Sequence, residues 1–255
     1  MKNIIKIFVV ITYILMIVVN ILANTLPING IDTGAISDAY PNLFAPAGIT
    51  FAIWGIIYLL LGLFTFYQLG LINKNDEISN ELMNKVGTLF IISSLANSIW
   101  IFTWHYQIIW LSIIFMVIIL WMLIKIVNAI REEKLSIKEK FFVKLPFSIY
   151  FGWITVATIA NATILLVSLG WESVGLSESL WTIFILIIGA IIGIITLLKN
   201  RDYYYGLVFI WAYFGIIIKH TTVFNNMYPS IVVTAIILIG LILAADIYAF
   251  TKKEY

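Results

Sequence analysis

Residues 47–71 read AGITFAIWGIIYLLLGLFTFYQLGL and carry no charge. Coiled as a helix at about 1.5 Å per residue, a run of this length covers the roughly 30 Å hydrocarbon layer of a bilayer. Seven further apolar runs lie at 4–23, 87–104, 108–129, 145–169, 179–198, 203–219 and 230–250. The chain has 255 residues, of which 62% are hydrophobic and 11% charged, and its mean hydropathy is +1.05. A water-soluble domain cannot hold that much apolar surface against water, so lipid is the solvent. Eight crossings use roughly 160 residues at about 20 each, which leaves short loops and no room for a separate soluble domain. The expected fold is an all-α integral membrane protein with eight transmembrane helices. The first run follows Lys2 and Lys6 as a signal peptide would. It is long enough to span and lacks a small-x-small cleavage site, so it reads as a retained helix.

Charge placement gives the expected topology. With the amino terminus inside, the cytoplasmic segments hold Lys2, Lys6, Lys74, Lys85, Lys125, Arg131, Lys134, Lys138, Lys140, Lys144, Lys199, Arg201, Lys252 and Lys253. Only Lys219 falls outside. Short loops rich in Lys and Arg stay in the cytoplasm, so the reading is a multi-pass cell-membrane protein with both termini cytoplasmic. The run REEKLSIKEKFFVK, Arg131 to Lys144, interleaves glutamate with lysine and reads as a solvated topology determinant rather than a specific lipid site. The net charge of +2 marks no nucleic-acid face, because the basic residues are spread over loops. The absence of cysteine excludes disulfides, thiolate metal sites and cysteine nucleophiles.

The longest outer loop, Asn24 to Ala45, is rich in Gly, Pro, Asn and Asp, and such a loop is more often a lid or binding element than an idle connection. Below it, three helices carry aromatic or polar stripes. Phe51, Trp54 and Tyr58 fall at i, i+3 and i+7, within roughly 60° of arc. Asn97, Trp100 and Trp104 repeat that spacing, and Trp153, Ala157 and Asn161 step by four. Counted from the outer helix ends, Trp54, Asn97 and Asn161 lie about 10–12 Å deep and Trp153 about 20 Å deep. That sequence of depths suggests a cavity wall with Trp153 near its floor. An amide in hydrocarbon needs a partner, so Asn97 and Asn161 are expected to face the bundle interior.

Blander readings cover other residues. Trp104, Trp110, Trp171 and Trp181, near helix ends, read as interfacial belt residues, whereas Trp54, Trp100 and Trp153 are too deep for that. Asp246 reads as interfacial beside Lys252 and Lys253, and Lys219 and His220 read as headgroup contacts. His105 is placed in a tight outer turn. Gly189 and Gly193 read as a helix-packing pair. Two histidines without acidic companions make no metal site, and no triad, carboxylate pair or phosphate loop is visible.

The stretch from Tyr40 to Tyr67, YPNLFAPAGITFAIWGIIYLLLGLFTFY, resembles the opening signature of the TspO/MBR family, the tryptophan-rich sensory proteins related to the translocator protein or peripheral benzodiazepine receptor. Pro46, Trp54 and Tyr58 match its proline-led aromatic helix. ANSIW, with Asn97 and Trp100, is similar to its Asn-x-x-Trp. LPFSIYFGWITVATIAN sets Pro146 and Phe147 against its Pro-Tyr pair, and Trp153, Ala157, Thr158 and Asn161 against its Trp, Ala-Thr and Asn. The family's double proline with tryptophan is here Ala45, Pro46 and Ala47 after Phe44, and the spacing from Pro146 to Trp153 is longer than usual. The resemblance implies a five-helix TspO-like domain over 1–170, followed by a three-helix transmembrane extension over 171–255. The seventh run, VFIWAYFGIII, echoes the second too faintly to be a repeat.

The same resemblance implies a receptor or carrier for a flat hydrophobic ligand, a tetrapyrrole such as protoporphyrin or haem, or a sterol-like or isoprenoid lipid. The ligand-binding candidates are Pro46, Phe51, Trp54, Tyr58, Asn97, Trp100, Trp153, Ala157 and Asn161. Aromatic walls stack on a conjugated plane while a few amides fix its polar edge. The alternatives are a small-molecule transporter using all eight helices and, further off, a porphyrin-degrading enzyme, for which no catalytic residue stands out. No cofactor or metal is expected, a tetrapyrrole entering only as ligand. The expected partners are that hydrophobic small molecule and membrane lipids; nucleic acid is excluded and a homodimer is left open. The topology has a direct test. Cysteines introduced at Asn75, Ser136 and Asn200 should resist an impermeant thiol reagent in intact cells, while one at Asp32 should react; labelling of the first three from outside would overturn the eight-helix map.

Overall fold

Long apolar runs become helices because, away from water, only intrahelical bonds satisfy every backbone group of an isolated segment. The structure, a computed structural model, describes residues 1–26, 28–31, 33–70, 79–171 and 175–251. Asp32, Lys74, Asn75, Lys252 and Lys253 lie outside the described residues. The long helices are α1 Asn3–Thr25, α2 Ile53–Gln68, α3 Asn80–His105, α4 Ile109–Arg131, α5 Leu145–Ser168, α6 Glu178–Asn200, α7 Tyr203–Thr222 and α8 Pro229–Thr251. No strand occurs among the described residues. The protein is an all-α integral membrane protein, and seven of its long helical segments have the length and composition to cross a bilayer. The exception is α7, 20 residues long, whose three leading tyrosines and terminal Lys219 and His220 make it more polar. α3 starts seven residues before its apolar run, where Ser79 caps it by accepting from the Leu82 N–H at 3.1 Å. α5 is entered from a capping box at Ser136 and Glu139, a turn of π-helix over Lys140–Lys144, and Pro146 in its first turn.

Packing order explains where a pocket can form. α1 packs on α3, α3 on α4, α4 on α5, α5 on α2 and α2 back on α1, so the first five helices close a ring. α3 is its most buried member, at 61% of its apolar window, whereas α1 and α8 bury only 28% and turn Ile, Leu, Val and Phe outward, as lipid-facing helices do. The ring's lower half is filled by Phe64, Phe90 and Phe147, whose ring centroids lie 4.8–5.6 Å apart. α7 seats against α5, and α8 packs on both α7 and α6. Gly189 and Gly193 let Tyr213 and Phe209 of α7 approach α6 closely, as a packing pair should. The amino terminus, the starts of α3 and α7 and the ends of α2, α4 and α6 share one end of the bundle. Met1 bonds Asn80 there, Lys6 reaches the Leu69 carbonyl and Arg131 reaches Asn200.

The loop after α1 forms the opposite end, and it descends into the bundle. Leu43, Phe44, Ala45 and Thr50 are all buried. α7 grips this descending chain with groups about one turn apart. Lys219 Nζ donates to Asp38 at 2.7 Å, His220 Nε2 to the Leu43 carbonyl at 2.9 Å, and Trp211 Nε1 to the Thr50 carbonyl at 2.9 Å. Between them the Ala47 N–H donates to the Gly215 carbonyl at 3.0 Å. Lys219 and His220 are therefore not headgroup contacts: both are buried, and they hold the loop. At the far side, His105 ends α3 fully buried instead of standing in a turn, with Nδ1 on the Ile28 carbonyl and Nε2 on the Thr33 hydroxyl, both at 3.1 Å. Trp104 is likewise no belt residue: it is buried, and its Nε1 donates to the Thr33 carbonyl at 3.1 Å.

Gly215 shows how close this contact is, because a Cβ there would overlap the Thr50 side chain. Gly215→Ala should therefore destabilise by about 1–3 kcal/mol through overpacking. Gly240→Ala in α8, where a Cβ meets only open space, should be neutral or stabilise by up to about 1 kcal/mol through helix propensity. Thermal unfolding of the two detergent-solubilised variants against wild type measures the contrast.

Candidate functional site

The descending loop delivers Phe51 and Trp54 into the ring. A 3-10 turn over Gly48–Ala52 leads into α2, so both rings enter below the outer helix ends. Trp54 becomes a hub. It stacks on Tyr58 at 5.3 Å and on Trp100 at 6.1 Å, and meets Tyr150 and Trp153 edge-on at 6.2 Å. Phe51 meets Trp153 at 5.9 Å, and Trp100 stacks on Trp104 at 5.8 Å. The stripes read from α2, α3 and α5 thus converge. Trp153 is the innermost α5 residue lining the smaller of the two cavities described below, and its ring lies 6.2 Å from Trp54, closer in depth than counting from the helix ends expects.

Both amides face the bundle interior as expected, but only Asn161 reaches a cavity. Asn97 is fully buried and lines neither of the cavities described below. Its Oδ1 accepts from Asn20 Nδ2 at 2.8 Å, and its Nδ2 donates to the Tyr150 hydroxyl at 3.3 Å, which ties α1, α3 and α5 together. Asn161 exchanges 3.2 Å contacts with Ser112 of α4 and reaches only the smaller cavity. Both amides are satisfied by side chains of neighbouring helices, as intramembrane amides must be.

Two cavities flank the Trp54 and Phe51 rings. The larger, about 460 Å³, lies between α1, the short helix Thr33–Asp38 and α2. Phe51, Trp54, Tyr58 and Pro46 form its aromatic side, and Asn20, Asn24, Thr33 and Asp38 its polar side. The smaller, about 50 Å³, lies inside the ring against Trp100, Trp104, Trp153, Ala157 and Asn161. Pro46, Phe51 and Trp54 border both. The indole N–H groups of Trp100 and Trp153 are buried without an acceptor among the described residues. They are two unused donors beside the smaller space. Asn20, Asn24 and Asp38 were missed by the sequence reading; Asn20 and Asn24, one turn apart in the otherwise apolar α1, are the signal that could have found the first two.

A family model of TSPO-like proteins matches residues 6–248. The chain belongs to the TSPO-like protein family. The match runs past the fifth helix into the last three, and the family marks the chain as a multi-pass membrane protein of ligand-binding or transport type. No curated protein and no solved structure gives a significant match to this TSPO-like chain.

The roof over the larger cavity is held by the two histidine anchors. Removing a buried hydrogen-bond partner costs about 1–3 kcal/mol, so His220→Ala should favour local opening of the roof by about fivefold or more. Chymotrypsin cleavage after Leu43 or Phe44 should accelerate accordingly. Val223→Ala, on an exposed residue of the next turn, should leave the rate unchanged.

Proposed function

We propose that this TSPO-like protein is a membrane receptor or carrier for a flat hydrophobic molecule with a polar edge. A tetrapyrrole such as protoporphyrin or haem is the first candidate, and a sterol-like or isoprenoid lipid the second. The observation that carries the reading is the 460 Å³ cavity, within the roughly 300–1,000 Å³ range of small-molecule sites. An aromatic side suited to stacking faces a polar side able to hold hydroxyl, carbonyl or carboxylate groups. The smaller cavity adds the two unused indole donors, available if a ring shifts to admit the ligand's edge. The proposed orientation keeps both termini in the cytoplasm and opens the cavity to the outer face, since all the described basic residues but Lys219 group at the other end.

A transport reading draws on a different observation. α7, outside the five-helix ring, grips the loop that roofs the cavity, so the last three helices act on the same site as the first five. Uptake into proteoliposomes separates the two readings.

Titration of the purified protein with protoporphyrin, haem and a sterol, followed by tryptophan fluorescence and ligand absorbance, tests the site. Trp54→Ala removes the central stacking surface, worth about 1 kcal/mol or more, and about 1.4 kcal/mol is tenfold in affinity. Several-fold weaker binding is expected for Trp54→Ala, and none for Trp110→Ala, whose ring is exposed on α4. Equal effects of the two, or normal binding by Trp54→Ala, would refute the site.

A further inference from the structure

At the opposite end of the bundle a carboxyl group is buried without a partner among the described residues. Asp246 of α8 is 5% exposed, and neither of its side-chain oxygens has a hydrogen-bond partner there. It is not the interfacial group that its nearness to Lys252 and Lys253 suggests. Gly206 of α7 makes the room for it: a Cβ there would overlap both the Asp246 carboxyl and Leu197 of α6. One turn before Gly206 stands Asp202, 2% exposed, whose Oδ2 accepts from Ser148 Oγ at 2.5 Å and Oδ1 from the Tyr205 N–H at 3.4 Å.

The two carboxyl groups live in different surroundings. Burial pushes the Asp202 carboxyl above its ordinary range, while the Ser148 hydroxyl, nearby Lys144 and backbone N–H groups pull it back. Asp246 has no such donors. An ionised carboxylate buried without donors or a counter-ion costs several kcal/mol, and the group escapes that cost by holding a proton. Among the described residues the charged group bearing on Asp246 is Asp202 of α7; Lys144 ahead of α5 and Tyr205 lie near Asp202, and α6 presents apolar Leu197.

A way in reaches as far as Asp202. A cavity of about 10 Å³ touches Asp202 and Ser148, close to the roughly 10–15 Å³ that one water needs. Arg131, Lys144 and Asn200 border it, and the same three residues line an open cleft of about 550 Å³ between the α4–α5 connection and the α6–α7 corner. We propose that Asp246, with Asp202 at its entrance, is a proton-binding site loaded from this cleft. The site stands apart from the aromatic cavity and does not depend on what that cavity holds. It supplies the intramembrane ionisable group through which a proton gradient could drive transport. α7, which lends Gly206 and Asp202 to the site, is also the helix that grips the roof loop at its other end.

Dicyclohexylcarbodiimide modifies protonated carboxyl groups in apolar surroundings, so it tests the site on the wild-type protein in lipid nanodiscs, with mass spectrometry locating the adduct. Asp246 should be labelled at acidic pH, and its labelling should fall as the pH rises, because only the protonated carboxyl reacts. Sodium should not protect it. Asp246→Asn should lose both the adduct and the infrared band of a protonated carboxyl while eluting as wild type does. Absence of both adduct and band in wild type, labelling that does not change with pH, or protection by sodium at fixed pH would overturn the proposal.

Discussion

Chain that is not helical can lie at membrane depth only where protein satisfies its polar groups. The segment from Asn42 to Ala52 meets that condition through few contacts. Asn42 Oδ1 accepts from the N–H groups of Phe44 and Ala45 at 3.1 and 2.8 Å, and the Thr50 N–H reaches the Ala47 carbonyl at 2.9 Å. α7 supplies the rest through His220, Gly215 and Trp211. The position of Trp54 follows from this descent, and with it the aromatic hub and the two cavities beside it. A chain that passed over the top of the bundle would start α2 higher and lift Trp54 away from Trp153.

The same constraint accounts for the composition of α7. A helix that faces lipid needs apolar residues all round its exposed side, and α1, α6 and α8 have them. α7 instead buries Tyr205, Tyr213, Lys219 and His220, and uses the polar tips of Tyr213, Lys219, His220 and half-buried Trp211 as donors to its neighbours. Its departure from a simple apolar run records its work as an internal support. Since it carries Asp202 and Gly206 at one end and the loop grip at the other, one rigid element joins the two polar regions of the bundle.

The long helices were legible in the sequence because each holds an apolar run, of bilayer length and composition in all but the more polar α7, and the stripes at Phe51, Trp54 and Tyr58 or Trp100 and Trp104 were legible because helical periodicity is local. Depth was not. Counting from helix ends assumes that the ends are flush, and the descent at Pro46 to Gly48 breaks that assumption for α2, so Trp54 lies nearer in depth to Trp153 than the count puts it. Partners that lie far apart in sequence were equally hidden. Asn97 bonds Asn20, 77 positions away, and His220 bonds Leu43, 177 positions away, so their roles depended on which helices become neighbours. Lys219, His220 and Asp246 were read as surface groups because polar residues near helix ends usually are; their burial comes from the packing of α7 against the loop and α8.

Amide hydrogen exchange over residues 43–50, followed by mass spectrometry in nanodiscs, tests the central claim most directly. If the segment is bonded inside the bundle, its amides exchange as slowly as those of the flanking transmembrane helices, although it is not α-helical. Exchange within seconds, at the rate of an exposed loop, would contradict the account, because the roof, the placement of Trp54 and the grip of α7 all require this segment to be held.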